Sequence, residues 1–248
     1  MKIREINLTL LDLNCVKRLC EPKNNNKIKN DNMIGDIIEL HEKHLATAQK
    51  IIEIVKQKFP FGNSQKIAIG IAGESGSGKS VTAYAIQKVL EQEKVKSLVL
   101  QMDDYFRLPP KSNHENRLKS LENVGIHEVN LGKLSQNIND FKKGTLEIEK
   151  PLVNYNENSV STEKIEISEY DVIIVEGTYI LELEGFDFKI FIDRNYKDTY
   201  ENRIKRNRDE QSDFVEKVLE IEHQIIRNFK NNADLILGKN YELVNPNL

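Results

Sequence analysis

Apolar positions near the start of the chain fall at helical spacing. Ile34, Ile37, Ile38, His41, Leu45, Ala48, Ile51, Ile52 and Val55 recur every three to four residues, which predicts one long amphipathic helix over residues 33–58. Its stripe is packing surface, against the rest of the chain or against a sister subunit. Ahead of it, residues 1–20 alternate apolar and polar (Ile6, Leu8, Leu10) as a short strand would. Residues 21–32 are polar and Asn/Lys-rich, as a linker or loop would be. Pro60-Phe-Gly62 breaks the helical pattern.

The pattern then changes. Lys66-Ile-Ala-Ile-Gly-Ile-Ala72 is a near-continuous apolar run, the mark of a strand buried on both faces of a parallel sheet. Residues 79–93 return to helical spacing through Val81, Tyr84, Ala85, Val89 and Leu90. Further strands are predicted at 95–102, 171–177, 186–193 and 233–237, with helices at 131–142, 198–208 and 213–229. Residues 105–165 carry weaker periodicity and two short strands besides that first helix. Strands alternating with helices imply an α/β fold whose parallel sheet is flanked by helices on both faces.

Between the first strand and its helix lies Gly73-Glu-Ser-Gly-Ser-Gly-Lys-Ser80, a complete G-x-x-x-x-G-K-[ST] phosphate-binding loop. It makes Gly73, Glu74, Ser75, Gly76, Ser77, Gly78, Lys79 and Ser80 the candidate triphosphate site. The glycines let backbone N–H groups turn inward around phosphate oxygens. Lys79 reaches the β- and γ-phosphates, Ser80 offers a hydroxyl ligand to Mg²⁺, and the helix N-terminus adds its dipole. The fold class is therefore that of the phosphate-loop NTPases, with an N-terminal helical extension.

Ligands of an open parallel sheet collect at the carboxyl ends of its strands. Asp103, Asp104 and Glu176 fall at such ends. Asp103 is the candidate general base and can also reach the metal; Glu176 is the metal-side acid, and Asp104 is a further carboxylate of unassigned role. Tyr105 and Arg107, next along the chain, are candidates to hold an acceptor, with the core as the alternative place for the aromatic. Arg203, Arg206 and Arg208 lie on one predicted helix. They suit a movable helical lid that neutralises a transferred phosphoryl group, with Arg206 closest to that role. His114 and His127 have no neighbour that would make a nucleophile–base pair.

Composition narrows the picture. The 248 residues carry a net charge of −3, with 39% hydrophobic and 30% charged positions, enough for one sizeable α/β domain plus an appendage. That balance gives no argument for nucleic acid or membrane binding. Cys15 and Cys20, with no histidine beside them, read as reduced thiols. No apolar run approaches the ~20 residues that span a bilayer, and the N-terminus lacks a signal-peptide core, so a cytoplasmic protein is expected.

The ordered set of motifs resembles the uridine kinase and phosphoribulokinase family of phosphate-loop kinases. After the loop come Leu100-Gln-Met-Asp-Asp-Tyr-Phe-Arg107, Lys150-Pro-Leu-Val-Asn-Tyr-Asn156, Asp171-Val-Ile-Ile-Val-Glu-Gly177, the arginines ending in Arg208-Asp209, and Ala233-Asp-Leu-Ile-Leu237. The likeness spans about residues 65–240, which divides the chain into an extension (1–62) and a kinase domain (63–248). It implies transfer of the γ-phosphate of ATP, with Mg²⁺, to a hydroxyl of a small molecule. Asp103 maps to the base of that family, Glu176 to its Mg²⁺ acid, and Tyr155 to a tyrosine lining the nucleoside pocket. Uridine or cytidine is the first candidate acceptor.

The chain departs from the pattern where the acceptor is read. Asn156 replaces an aspartate that a histidine closely follows, Asn123-Val-Gly-Ile-His-Glu-Val129 replaces N-F-D-H-P-D-A, and Glu210-Gln-Ser-Asp-Phe replaces E-R-G. Two alternatives therefore stand beside uridine. One is a sugar phosphate or pantothenate-like acceptor, whose anion Lys111, Arg117 and Lys119 would bind. The other is a nucleotide-dependent switch that acts on a protein partner through residues 33–58.

Overall fold

The structure, a computed structural model, describes residues 27–29, 37–62, 65–154, 156–206 and 212–244. Its centre is a six-stranded sheet built from β3 (Ile67–Gly73), β4 (Ser97–Gln101), β7 (Val172–Glu176), β8 (Phe188–Ile192), β9 (Leu235–Leu237) and β10 (Leu243–Val244), in the spatial order β4-β7-β3-β8-β9-β10. All neighbours run parallel except β9 and β10. The apolar runs at 66–72 and 171–177 thus form two adjacent interior strands, β3 and β7, whose faces are both covered.

Alternation along these strands divides the core in two. Ile67, Ile69 and Ile71 of β3, with Val172 and Ile174 of β7, face α1 (Glu42–Lys58) and α2 (Lys79–Gln92). Ala68 and Ala72 of β3, with Ile173 and Val175 of β7, face α4 (Leu131–Lys142) and Phe229. The apolar stripe of α1 is completely absorbed: Ala48, Ile51, Ile52 and Val55 are fully buried in the same cluster as α2. At about 1.5–3 kcal/mol for each large side chain, this helix adds substantially to the core on that face.

The amphipathic helix is shorter than its pattern suggested. Ile37–Glu39, inside the stretch expected to be helix, forms β2, and it pairs antiparallel with β1 (Lys27–Lys29), a strand inside the stretch expected to be loop. His41 then takes an extended conformation ahead of α1, and its backbone N–H donates to His44 Nδ1 at 3.2 Å. The strand expected within residues 1–20 lies outside the described residues.

Residues 105–165 hold more structure than their periodicity showed. A helix, α3 (Pro110–Lys119), precedes α4, and the two short strands are an eight-residue hairpin pair, β5 (Glu147–Asn154) and β6 (Ser159–Glu166). The final helices are α5 (Tyr200–Arg206) and α6 (Asp213–Ile226), α6 being followed by a 3-10 segment over Arg227–Asn232. Among the described residues no helix is long and apolar enough to cross a membrane.

Candidate active site

Three neighbouring strands, β4, β7 and β3, end close to one another. Glu176 stands opposite Ile71 on one side and Gln101 on the other, so the segments following β3, β4 and β7 all emerge on one edge. The loop after β3 runs directly into α2. Gly76 (φ +73°) and Gly78 (φ +105°) occupy left-handed conformations there. A Cβ on Gly76 would lie 3.0 Å from Arg203 Cγ, and one on Gly78 only 2.2 Å from the Tyr241 hydroxyl. Both positions therefore need glycine for backbone shape and for space. The first N–H groups of α2 have no helical partners and make the loop an anion cradle.

Lys79 donates to the carbonyl of Glu74 at 3.1 Å, folded back across the loop. The Ser80 hydroxyl donates to Glu176 Oε1 at 2.8 Å, which joins the loop to the end of β7. Two residues of the motif do not turn their side chains to the cradle. Glu74 is buried, accepting from the backbone N–H of Tyr196 at 2.6 Å and meeting His223 Nδ1 at 2.7 Å. Ser77 is also fully buried. The Ser77 N–H donates to the Glu74 carbonyl at 3.1 Å, and the Glu74 carboxylate ties α6 to the loop. Thr199 Oγ1 adds a second tie, donating to the Ser75 carbonyl at 2.8 Å.

The two aspartates after β4 separate clearly. Asp103 is half-buried, lines the cleft above the phosphate loop, and has no hydrogen bond among the described residues. Asp104 is buried and accepts from Lys150 Nζ at 2.7 Å and from the Val153 N–H at 3.3 Å. Burial pushes its carboxyl above the ordinary aspartate range, and Lys150 partly offsets this. Lys150 also meets Glu163 at 2.8 Å. Asp104 is therefore an anchor for the β5–β6 hairpin and does not share the open edge of the cleft with Asp103.

Removing one partner of such a buried pair leaves an unpaired charge. Lys150→Met is expected to cost about 3–5 kcal/mol in urea unfolding, and adding Asp104→Leu to recover most of that loss. A double variant no more stable than the single one would show that the pair is not a stabilising anchor.

The aromatic candidate moves furthest from its expected place. Tyr105 is fully buried, its hydroxyl accepts from Asn137 Nδ2 at 2.8 Å, and burial pushes the phenol upward. It fills the core and does not touch the cleft. Arg107 is exposed, donates to the His127 carbonyl at 3.1 Å, and also lies off the cleft. Phe106, between them, is the residue that lines it.

Of the lid arginines, Arg203 lies at the cleft, buried, with its guanidinium donating to the Tyr196 carbonyl at 3.2 Å and to Glu216 at 3.4 Å. Arg206 ends α5, one turn further on. Arg208 and Tyr155 lie outside the described residues.

The cleft itself encloses about 750 Å³. One end is the phosphate loop with Asp103, Glu176 and Arg203; the other is walled by α3 and α6. Sequence reasoning left Arg117 free to bind an anion, but it is occupied. Its guanidinium grips Glu128 at 2.5 and 2.9 Å and reaches Glu222 at 3.0 Å. Lys119 is exposed and does not line the cleft, whereas Lys111, also exposed, does. His114 lines the cleft on α3, edge-on to Phe214 at 5.7 Å. Glu222 was missed altogether. A charged residue on the face of α6 that carries Val215, Val218 and Leu219 is the signal that could have found it.

The Ser80 hydroxyl and the Glu176 carboxylate are hard oxygen donors in contact with each other, a set that suits Mg²⁺ shared with phosphate oxygens. Among the described residues no group of three or more His, Cys, Asp or Glu could hold a metal ion. The protein's share of such a site thus falls to Ser80 and Glu176, with Asp103 on the same cleft.

Comparison with known proteins matches residues 68–236 to the model of the phosphoribulokinase / uridine kinase family. The chain is 31% identical over 187 residues to a uridine kinase of Staphylococcus epidermidis, covering 70% of this chain and 88% of that one. It is 30% identical over 210 residues to the bifunctional alpha-galactosidase/sucrose kinase AgaSK of Mediterraneibacter gnavus. That match covers 79% of this chain but spans only 22% of the much longer relative. Among solved structures, a possible uridine kinase from Bacillus stearothermophilus superposes with a TM-score of 0.56 at 18% identity, over 76% of this chain and 97% of that one.

Proposed function

Since the chain belongs to the phosphoribulokinase/uridine kinase family and is a small-molecule kinase, we propose that it moves the γ-phosphate of ATP to a hydroxyl of a small metabolite. The observation that carries this reading is the convergence of Lys79, Asp103, Glu176 and Arg203 on one cleft, with the Asp103 carboxylate free of hydrogen bonds among the described residues. Asp103 accepts the hydroxyl proton as the acceptor oxygen bonds to the γ-phosphorus. The bond from that phosphorus to the bridging oxygen breaks, and ADP leaves with the electron pair. Lys79 swings from the Glu74 carbonyl to the phosphates, and Arg203 faces the charge spread over the transferred group. Ser80 and Glu176 would hold Mg²⁺, which would supply positive charge against the phosphates.

Uridine or cytidine is the first candidate acceptor, supported by the uridine kinases among the relatives. A sugar is the second, favoured by the longer match to a sucrose kinase and by the changed acceptor-reading segments. An ADP-release assay with ATP and Mg²⁺ across nucleosides and sugars tests the reading. Stimulation by one compound at micromolar to millimolar levels is expected. ATP hydrolysis indifferent to every acceptor would favour the switch instead.

A further inference from the structure

We infer that Glu222 of α6, paired with Arg117 of α3, is a specificity-determining residue that reads the hydroxyl groups of an uncharged acceptor. The inference rests on the phosphotransfer reading and narrows it to neutral, hydroxyl-rich substrates.

The charge balance at the acceptor end carries the argument. Arg117 is the cation drawn into the wall of the cleft, with its side chain 16% exposed, and two carboxylates meet it. Glu128 is buried and saturated: it accepts from Arg117 twice, from Asn113 Nδ2 at 2.8 Å and from the Gly125 N–H at 2.7 Å. Glu222 takes the remaining reach of Arg117 through one oxygen, and its carboxylate, 13% exposed, lines the cleft. One guanidinium therefore meets two carboxylates in the buried part of this wall, while Lys111, exposed on α3, lines the cleft nearer solvent. A phosphate or carboxylate seated against Glu222 would meet a carboxylate, and among the described residues the buried cation beside it, Arg117, is already paired.

A polyol meets the opposite situation. A carboxylate accepts hydrogen bonds from hydroxyl donors, and a guanidinium donates to hydroxyl oxygens. Phe106 and Leu219 on the same cleft supply apolar surface for the carbon face of a ring. Lys79 belongs to the phosphate loop, although its charge also reaches Glu222. Burial also pushes the Glu222 carboxyl upward, with Arg117 opposing the shift, which strengthens its dependence on a hydrogen-bonded partner. The position of α6 is set from the loop side by the contact of Glu74 with His223, one residue beyond Glu222. Acceptor reading and the phosphate loop therefore share one helix.

The test compares neutral and anionic members of one skeleton in ADP release: fructose with fructose 6-phosphate, uridine with uridine 5′-monophosphate, and glycerol with glycerate. A neutral compound is expected to be preferred over its anionic partner by about 100-fold or more in kcat/KM. Glu222→Gln is expected to raise the acceptor KM by roughly 10- to 100-fold, with the KM for ATP within about two-fold of the parent, which also shows that the variant is folded.

Preference for an anionic member would overturn the inference while phosphotransfer stands. Parallel losses in kcat and ATP affinity, or an unchanged acceptor KM, would make Glu222 merely structural. Silence with all six compounds would count against phosphotransfer itself and this inference with it. Should Glu222→Gln fail to fold, the neutral-to-anionic ratio of the parent protein decides.

Discussion

Replacing Asp103 by Asn is expected to lower kcat by about 10²- to 10⁴-fold, while the KM for ATP stays within a factor of two. The substitution keeps shape and removes only the ability to accept a proton. Asp103 makes no hydrogen bond among the described residues, so little folding energy depends on its charge. Its neighbour is the internal control. Asp104 is buried against Lys150, and its loss should act through stability. A variant of Asp103 that turned over at the parent rate would remove it as the base. One that unfolded would show that its structural isolation was misread.

The second large effect falls on Lys79. Lys79→Ala should weaken ATP binding and lower kcat by roughly 10²- to 10³-fold, the loss typical of one electrostatic clamp on a developing negative charge. Among the described residues the Lys79 ammonium donates only to a backbone carbonyl, which water can replace. Thermal stability without nucleotide should therefore hardly change. Stabilisation by added ATP, which grows with the logarithm of ligand over Kd, should shrink. Fluorescence-monitored melting with and without MgATP reads both effects. Loss of stability in the nucleotide-free protein would contradict the assignment.

These two residues were readable from the sequence because their signals are local. A phosphate loop between a buried strand and a helix, and acids at strand ends, follow from spacing alone, and the structure brings Lys79, Ser80, Asp103 and Glu176 onto one edge of the sheet. What was not readable depends on partners distant in the chain. Helix α3 consists of ten residues that are nearly all polar, and its one large apolar side chain, Leu118, is exposed, so it has no stripe to reveal it. Residues 37–39 carry a helical pattern but pair with 27–29, a choice no local period records.

Tyr105 could have faced core or ligand on pattern alone, and the hydrogen bond from Asn137 shows which. Arg117 looked like an anion binder until Glu128 and Glu222 were seen to surround it. Glu222 joins the cleft because contacts such as Glu74–His223, Tyr196–Glu220 and Arg117–Glu222 dock α6 there. Such residues are placed by tertiary contacts, and spacing marks at most a charge on an apolar helix face, as at Glu222.

The central claim is that the γ-phosphate leaves ATP for a hydroxyl and not for water. Phosphorus NMR of the protein with MgATP and a single active acceptor follows that phosphate directly. Phosphotransfer requires a new phosphomonoester resonance that grows as ADP forms, in equal amounts, and that Asp103→Asn nearly abolishes. Inorganic phosphate matching the ADP, with no phosphomonoester from any nucleoside or sugar, would contradict it.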